Sequence, residues 1–322
     1  MEAHTVTLRG VSDVRRTISP TTYRTLTLVA LAALTAIVVT GAAVRLTGSG
    51  LGCEDWPTCE DNKLVDDFGY HGWIEFGNRL LTGVVSIAVI AAVLGSMFRA
   101  PSRRDLTLWS WGLVAGVATQ IVLGGIVVRF DLDPRIVLTH FLVSMILVWN
   151  ATILAERAAI PDELFALRAD RRAPWWIRLQ TVLSVAAISL GTIVTGSGPH
   201  TGSLDEPIQR LPFSVSDAAR VHSITVIALG LVALYSWRLS APRSTSRRRQ
   251  TTVLIVLAAQ ATIGYVQYFT GVPEVLVAAH ILGATMLWIV VIRSHVVSGV
   301  AETDIDGQDE AKLLTDLEMQ RA

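Results

Sequence analysis

Three histidines and one carboxylate stand where chemistry inside a membrane would need them. His140, His222 and His280 each fall a few residues into an apolar segment, and Glu75, Asn78 and Arg79 occupy the corresponding stretch of another. A neutral imidazole costs little to bury and keeps a ring nitrogen for a metal. Two imidazoles at equal depth on nearby helices can grip one flat macrocycle from both faces, and His222 with His280 satisfy this. Any one of the three, taken alone, reads more simply as an interface histidine bonded to backbone or water. Their shared depth and repeat-related positions favour the axial pair. A zinc site is disfavoured, because no carboxylate or thiolate accompanies His222 and His280 to complete four ligands. Glu75 and His140 facing one cavity would suit proton transfer or stabilisation of a cation. The i,i+4 spacing of Glu75 and Arg79 equally describes a structural ion pair.

Other residues carry weaker signals. Cys53 and Cys59 flank five residues of one loop, and the spacing permits a disulfide that is either a structural staple or a labile, catalytic pair. Two cysteines are too few for a disulfide scaffold or a thiolate cage. Arg45, Arg129, Arg210 and Arg220 lie near helix ends, where they can meet anionic groups or simply reach the interface. His71 begins an apolar segment on roughly the face of Asn78. His200 sits in a loop, open to solvent or to a cofactor, and His4 and His295 read as incidental.

The elements that must position these groups are membrane spans. The 322 residues are 51% hydrophobic and 17% charged, with a mean hydropathy of +0.49, too apolar for a soluble domain of this length. The formal net charge is zero, which gives a nucleic-acid partner no support. About 20 apolar residues cross a bilayer core, and eight segments qualify: 24–46, 73–98, 106–129, 136–156, 175–196, 217–238, 251–270 and 274–297. The polar residues before the first span, with Arg9, Arg15 and Arg16, precede a run too long for a cleavable signal, so it reads as a retained anchor. Of the 27 Lys and Arg, 20 lie in 1–24, 99–104, 157–178, 238–249 and the stretch from Arg293. The seven others, Arg45, Lys63, Arg79, Arg129, Arg135, Arg210 and Arg220, lie toward the opposite side. The positive-inside rule therefore expects both termini in the cytoplasm of a multi-pass cell-membrane protein. The outer connections are then 47–72, 198–216 and two tight turns, 130–135 and 271–273. The histidines and Glu75 come to lie roughly 5–10 Å below the outer surface.

The chain also repeats itself. Gln120 to Gly124 recurs as Gln260 to Gly264, an offset that also carries His140 onto His280, and the Thr-Gly-Ser-Gly run from Thr47 returns at Thr195. The expected fold class is all-α, eight transmembrane helices arranged as two four-helix bundles related as parallel repeats. The expected domains are an N-terminal bundle over 1–157, a cytoplasmic linker over 158–174, a C-terminal bundle over 175–298 and an acidic tail over 299–322. Aligning Asn78 with His222 leaves Glu75 and Arg79 opposite Ala219 and Ser223. The acid thus belongs to one half only, which argues for one half that reacts and one that holds a redox cofactor.

The outer motif Thr-Gly-Ser-Gly-Leu-Gly-Cys-Glu-Asp-Trp-Pro-Thr-Cys from Thr47 to Cys59, the motif Glu75-Phe76-Gly77-Asn78-Arg79, the two Gln-x-x-x-Gly helices ahead of His140 and His280, and the Gly-Ser-Gly-Pro-His loop ending at His200 together resemble the haem A synthase family. The likeness runs from the first span to the eighth. It implies oxidation of the C8 methyl group of haem O to formyl through successive hydroxylations, giving haem A for terminal oxidase assembly. It also implies a haem b cofactor between His222 and His280 and the substrate haem in the N-terminal half, with its iron at His140. The candidate catalytic set is Glu75, His140, Arg79 and Asn78, with Glu75 matching the family's acid. Implied partners are haem O, the protohaem farnesyltransferase that makes it, oxidase assembly factors and membrane lipid. One departure stands out: the family motif commonly reads Glu-x-x-His-Arg, and here the histidine position is Asn78. An amide is a poor iron ligand, so His140 alone would hold the substrate iron, with His71 a distant substitute. The competing functions are a non-catalytic bis-histidine b-type electron-transfer protein, which would need two equivalent axial pairs, and a haem transporter.

Overall fold

A computed structural model describes residues 17–53, 56, 58–59, 69–162, 173–204 and 209–298. Arg9, Arg15, Arg16, His4 and Lys63, most of the expected linker (163–172) and the whole tail (299–322) lie outside the described residues.

Eight helices account for the spans: α1 (Pro20–Leu46), α2 (Tyr70–Phe98), α3 (Arg104–Arg129), α4 (Pro134–Ala158), α5 (Trp175–Ser197), α6 (Val215–Leu239), α7 (Thr245–Phe269) and α8 (Glu274–Ser298). At 23 to 29 residues and 1.5 Å per residue, each is roughly 35–44 Å long, enough to cross a bilayer core. All eight are apolar enough to do so, and the protein is a multi-pass membrane protein. Large apolar side chains such as Ile87, Val122, Leu231 and Ile255 project outward, as lipid-facing residues do.

Local sequence sets the helix starts. Ser19 accepts a hydrogen bond from the Thr22 amide with Pro20 in the first turn. Asp133 accepts from the Arg135 amide ahead of α4, again with proline following. Ser214 and Ser244 cap α6 and α7 in the same way. These are side chains that satisfy amides with no intrahelical partner. The start of α7 lies six residues before the hydropathy boundary at 251, because Ser244 caps a turn carrying Arg247, Arg248 and Arg249 that hydropathy alone rejects.

Helix neighbours follow one scheme twice. In each half the first helix packs on the second, the second on the third, the third on the fourth and the fourth back on the first. This ring accords with a duplicated four-helix unit, and it leaves α2 diagonal to α4 and α6 diagonal to α8. The halves meet through α1 and α4 on one side and α5 and α8 on the other. Val38, Met145, Val148, Trp288, Ile289 and Ile292 form the apolar core of that seam, and Trp288 Nε1 donates to the Met145 carbonyl at 3.0 Å.

The two Thr-Gly-Ser-Gly runs follow α1 and end α5, and the loops they begin are stitched together. The Gly50 amide donates to Gly202 O at 2.7 Å, and Ser49 bridges Ser203. A Cβ at Gly50 would stand 2.9 Å from Gly202 O, so this backbone approach requires glycine. Arg45 completes the join, with Nε donating to His200 O at 2.8 Å and Nη2 to Thr195 O at 3.1 Å.

Candidate functional site

His222 lies on the second turn of α6 and His280 on the second turn of α8, roughly 10 Å in from the same end of the bundle. From diagonal helices they meet in its centre, with ring centroids 6.5 Å apart and planes inclined at 66°. Two imidazoles sharing one metal ion, each at a metal–nitrogen distance of about 2 Å, have centroids roughly 6 Å apart. His222 Nδ1 donates to the Ala187 carbonyl at 2.9 Å, which fixes a tautomer with a free lone pair on Nε2. The rings are seated by glycine. A Cβ at Gly191 would lie 3.2 Å from His222 Cε1, and one at Gly264 would lie 2.9 Å from His280 Cε1. Gln260 Nε2 holds the His280 carbonyl at 2.7 Å, while His280 Nδ1 is buried and without a hydrogen-bond partner among the described residues.

These residues fit a haem: two facing imidazoles, a glycine cradle for each ring, and ring nitrogens the protein leaves unpaired. Among the described residues no three His, Cys, Asp or Glu converge into a metal cage. An axial pair needs no third protein ligand, because the macrocycle provides the equatorial ones.

The N-terminal unit holds a comparable set of residues, with an asparagine in place of one histidine. His140, on the second turn of α4, has its carbonyl bonded by Gln120 Nε2 at 3.0 Å. A Cβ at Gly124 would lie 3.9 Å from its Cε1, and its Nδ1 is also buried and unpartnered among the described residues. Asn78 is on the diagonal helix α2, as His222 is on α6. Its Oδ1 accepts from Thr40 Oγ1 at 2.8 Å, and Gly41 faces its amide nitrogen.

Glu75 lies one turn before Asn78 and is only 6% exposed. The ion pair anticipated from its spacing forms: Arg79 Nη2 donates to Oε1 at 2.5 Å. The Cys53 amide donates to Oε2 at 2.9 Å. Arg79 Nη1 donates in turn to Thr58 O at 2.6 Å. Cys53 and Cys59 are joined in a disulfide with Cα atoms 4.5 Å apart, buried against Phe76. Acid, base and disulfide loop are therefore one connected structure.

Trp56, between the two cysteines, completes it. The Arg79 guanidinium lies 4.8 Å over its ring, and the indole packs on α3, where a Cβ at Gly125 would come 2.7 Å from Nε1 and one at Gly124 3.4 Å from the ring. Trp56 thus stands between Arg79 and the seat of His140. The sequence marks Trp56 only as a tryptophan inside a cysteine-closed loop and Gly264 only as a glycine one turn after Gln260, and nothing in the spacing marks Gly191.

The remaining candidates lie outside these sites. His71 Nδ1 is bonded to Ser49 Oγ at 2.8 Å, in the loop that follows α1. His200 Nε2 donates to Val272 O at 2.8 Å and binds its loop to the α7–α8 turn. Arg45 is held by the carbonyls of Thr195 and His200, Arg210 Nη2 reaches Pro199 O at 3.4 Å, Arg220 pairs with Asp217 at 3.2 Å, and Arg129 is exposed. His295, on the far side of the bundle, bonds Thr181 Oγ1 at 2.8 Å.

Comparison with known proteins follows the same lines. A family model described as "Cytochrome oxidase assembly protein" matches residues 24–66 and 62–202, a stretch that contains Glu75, Asn78 and His140. "Heme A synthase" of Listeria monocytogenes serotype 4a (strain HCC23) is 27% identical over 271 residues, covering 79% of this chain and 88% of that protein. "Heme A synthase" of Geobacillus kaustophilus is 33% identical over 141 residues, 43% of this chain and 40% of that protein. "Heme A synthase" of Oceanobacillus iheyensis is 31% identical over 109 residues, 33% of this chain and 35% of that protein. With the family match extending from α1 to the loop after α5, more than half of its length, the chain belongs to the cytochrome oxidase assembly protein family, in which these haem A synthases are its relatives.

Proposed function

We propose that the chain is a haem A synthase, an oxidoreductase that converts the C8 methyl group of haem O to the formyl group of haem A, with its two four-helix units divided between substrate and cofactor. The observation that carries this reading is the pair of facing rings, His222 and His280, 6.5 Å apart across the C-terminal unit, beside an N-terminal unit in which the equivalent pair is Asn78 and His140. The first combination suits a permanently held cofactor; the second suits a substrate that must enter, react and leave. Haem b, bound through His222 and His280, would supply one-electron redox chemistry.

Within the substrate unit, His140 would ligate the haem O iron on one face, and the Asn78 amide would leave the other face open. Glu75 would stand at the methyl edge. Its oxygens accept hydrogen bonds from the Cys53 amide and from Arg79, and a carboxylate oxygen has lone-pair capacity for more than one donor. Its fixed negative charge would stabilise positive charge developing on the substrate carbon before water adds. Arg79 holds the carboxylate and moderates its charge, and the Cys53 amide fixes its direction. Each of two hydroxylations would add the oxygen of one water to the carbon and release two electrons and two protons, the electrons leaving one at a time by way of haem b held at His222 and His280 to a one-electron acceptor; the resulting hydrated aldehyde then loses water to become formyl. The arginine asymmetry between the two ends of the bundle supports cytoplasmic termini, a cell-membrane location and a site in the outer half of the bilayer. Haem O, the farnesyltransferase that supplies it and oxidase assembly factors are the partners this reading names.

The test is reconstitution of the wild type and Glu75→Gln with haem O, followed by extraction and identification of the haems. Haem A or hydroxylated haem O from the wild type, and much less from the variant, is expected. Unchanged turnover by Glu75→Gln would remove the role assigned to that residue. Haem b alone from wild type coexpressed with a haem O source would favour an electron-transfer protein or a transporter instead.

A further inference from the structure

The end of the bundle opposite the histidines carries a site that the haem chemistry does not use. The last turn of α4, the first turn of α7 and the last turns of α8 meet there around Glu156. Arg249 Nη1 donates to Glu156 Oε2 at 2.9 Å and Arg293 Nε to Oε1 at 2.8 Å. Arg249 Nη1 also reaches the Arg293 carbonyl at 2.6 Å. Arg248, Arg249 and Arg293, with Thr245, Thr252 and Val290, line a cleft of about 160 Å³.

Three guanidinium groups against one carboxylate leave a net charge of +2 beside this cleft. The Glu156 contacts use one nitrogen each of Arg249 and Arg293, which leaves Nε and Nη2 of Arg249 and both Nη of Arg293 without an acceptor among the described residues. Arg248 is exposed and forms no ion pair among the described residues. Arg247, by contrast, is already committed: it stacks 3.3 Å from the Trp237 ring centre and donates to Trp237 O and Ser240 O. The cleft lies within about two turns of three helix ends, and its arginines within about a turn and a half, near the level of lipid headgroups. Its volume equals roughly five liquid-water volumes, and forked guanidinium donors match the oxygens of a phosphate.

We propose that this cleft binds a phosphate group, carried either by an anionic phospholipid headgroup or by soluble phosphate. Arginines at helix ends also serve merely to orient a membrane protein and need no ligand for that. The difference is focus: an orienting charge acts wherever it sits on that end, whereas a site depends on the residues lining the cleft. Arg238 is a matched control, since it is exposed on the last turn of α6 and outside the cleft.

The experiment uses the full chain in phosphatidylcholine nanodiscs into which phosphatidylglycerol is titrated, with the unfolding midpoint as readout, because a ligand of the folded state raises it. Inorganic phosphate in pure phosphatidylcholine is the parallel arm. The wild type should gain stability with phosphatidylglycerol, Arg248→Ala should need about fivefold more of it, the worth of one arginine at an anionic surface, and Arg238→Ala should titrate as wild type. A gain with inorganic phosphate instead, lost in Arg248→Ala, supports the same site with a soluble ligand. Equal shifts in Arg248→Ala and Arg238→Ala, or no response of the wild type in either arm, would overturn the proposal.

Discussion

Gln260 grips His280 by its backbone rather than its ring, its amide donating to the carbonyl oxygen at 2.7 Å. Gln120 does the same to His140 at 3.0 Å. Such a bond sets the rotation of the histidine helix against its neighbour and so aims the ring without occupying either ring nitrogen. Replacing Gln260 with leucine keeps the volume and removes the bond, at a cost of about 1 kcal/mol. The purified Gln260→Leu protein should remain folded but retain less haem than wild type. Equal haem content, measured by pyridine haemochrome, would show that the contact aims nothing.

The glycine seats predict a graded series. A methyl group at Gly264 meets His280 Cε1 at 2.9 Å, one at Gly191 meets His222 Cε1 at 3.2 Å, and one at Gly124 lies an ordinary 3.9 Å from His140. Overpacking of this kind costs about 1–3 kcal/mol when the neighbour cannot move. Gly264→Ala should therefore weaken haem retention by roughly tenfold and Gly191→Ala by less, with Gly124→Ala matching wild type in its low-spin absorption spectrum. A reversed order would mean that the rings are free to shift.

Arg79 is the partner of a buried carboxylate, and removing it should cost more than removing both. Arg79→Ala leaves the Glu75 carboxyl 6% exposed, without its partner guanidinium and deprived of its 2.5 Å bond, and it releases Thr58 O as well. Loss of one partner of a buried pair costs about 3–5 kcal/mol. The double variant Glu75→Gln/Arg79→Met should recover part of that loss in thermal unfolding. A double variant no more stable than Arg79→Ala would mean that the pair is not coupled.

Eight spans and their order were legible because each is a long apolar run bounded by caps, prolines and arginines. The boundaries fell within a few residues except at α7, where Ser244 outweighs the hydropathy of an arginine triplet. The repeat gave the equivalence of His140 and His280, and depth gave the pairing of His222 with His280. What connects residues across space was not legible. Nothing in the spacing of Arg45 announces that the carbonyls of Thr195 and His200 from the other half will hold it, and no periodicity assigns Trp56 to the two glycines of α3. Those contacts depend on how two loops and eight helices close on one another, information that a single helix period does not contain.

The disulfide loop should matter to the substrate unit alone. Through Cys53 N–H it directs Glu75, and through Thr58 O it anchors Arg79, whereas the His222–His280 seat is built by Ala187, Gly191, Gln260 and Gly264 of α5 and α7. Closing a loop of this length stabilises the fold by about 2 kcal/mol. The Cys53→Ser/Cys59→Ser protein should bind haem b as wild type does yet form less haem A. Loss of the bound cofactor in the same variant would contradict the division between the units.

Asn78 gives the most specific prediction, because the repeat provides its counterpart. His222 sits on α6 across from His280 with Gly191 making room for its ring, and Asn78 sits on α2, the helix diagonal to the one that carries His140, with Gly41 beside it and 4.0 Å left between a would-be Cβ and the amide nitrogen. An amide held by Thr40 offers iron no useful ligand, while an imidazole there would have a lone pair to give. Asn78→His should therefore turn haem O bound in the N-terminal unit from five-coordinate or water-ligated to low-spin and six-coordinate, visible by absorption and electron paramagnetic resonance against a wild-type control. Asn78→Leu, which removes the polar group without adding a ligand, should leave the spectrum unchanged. Turnover by Asn78→His should fall if an open iron face is needed for oxidation and hold if only the methyl edge reacts. A histidine that leaves the bound haem O spectrum untouched would show that residue 78 does not face the substrate iron at all.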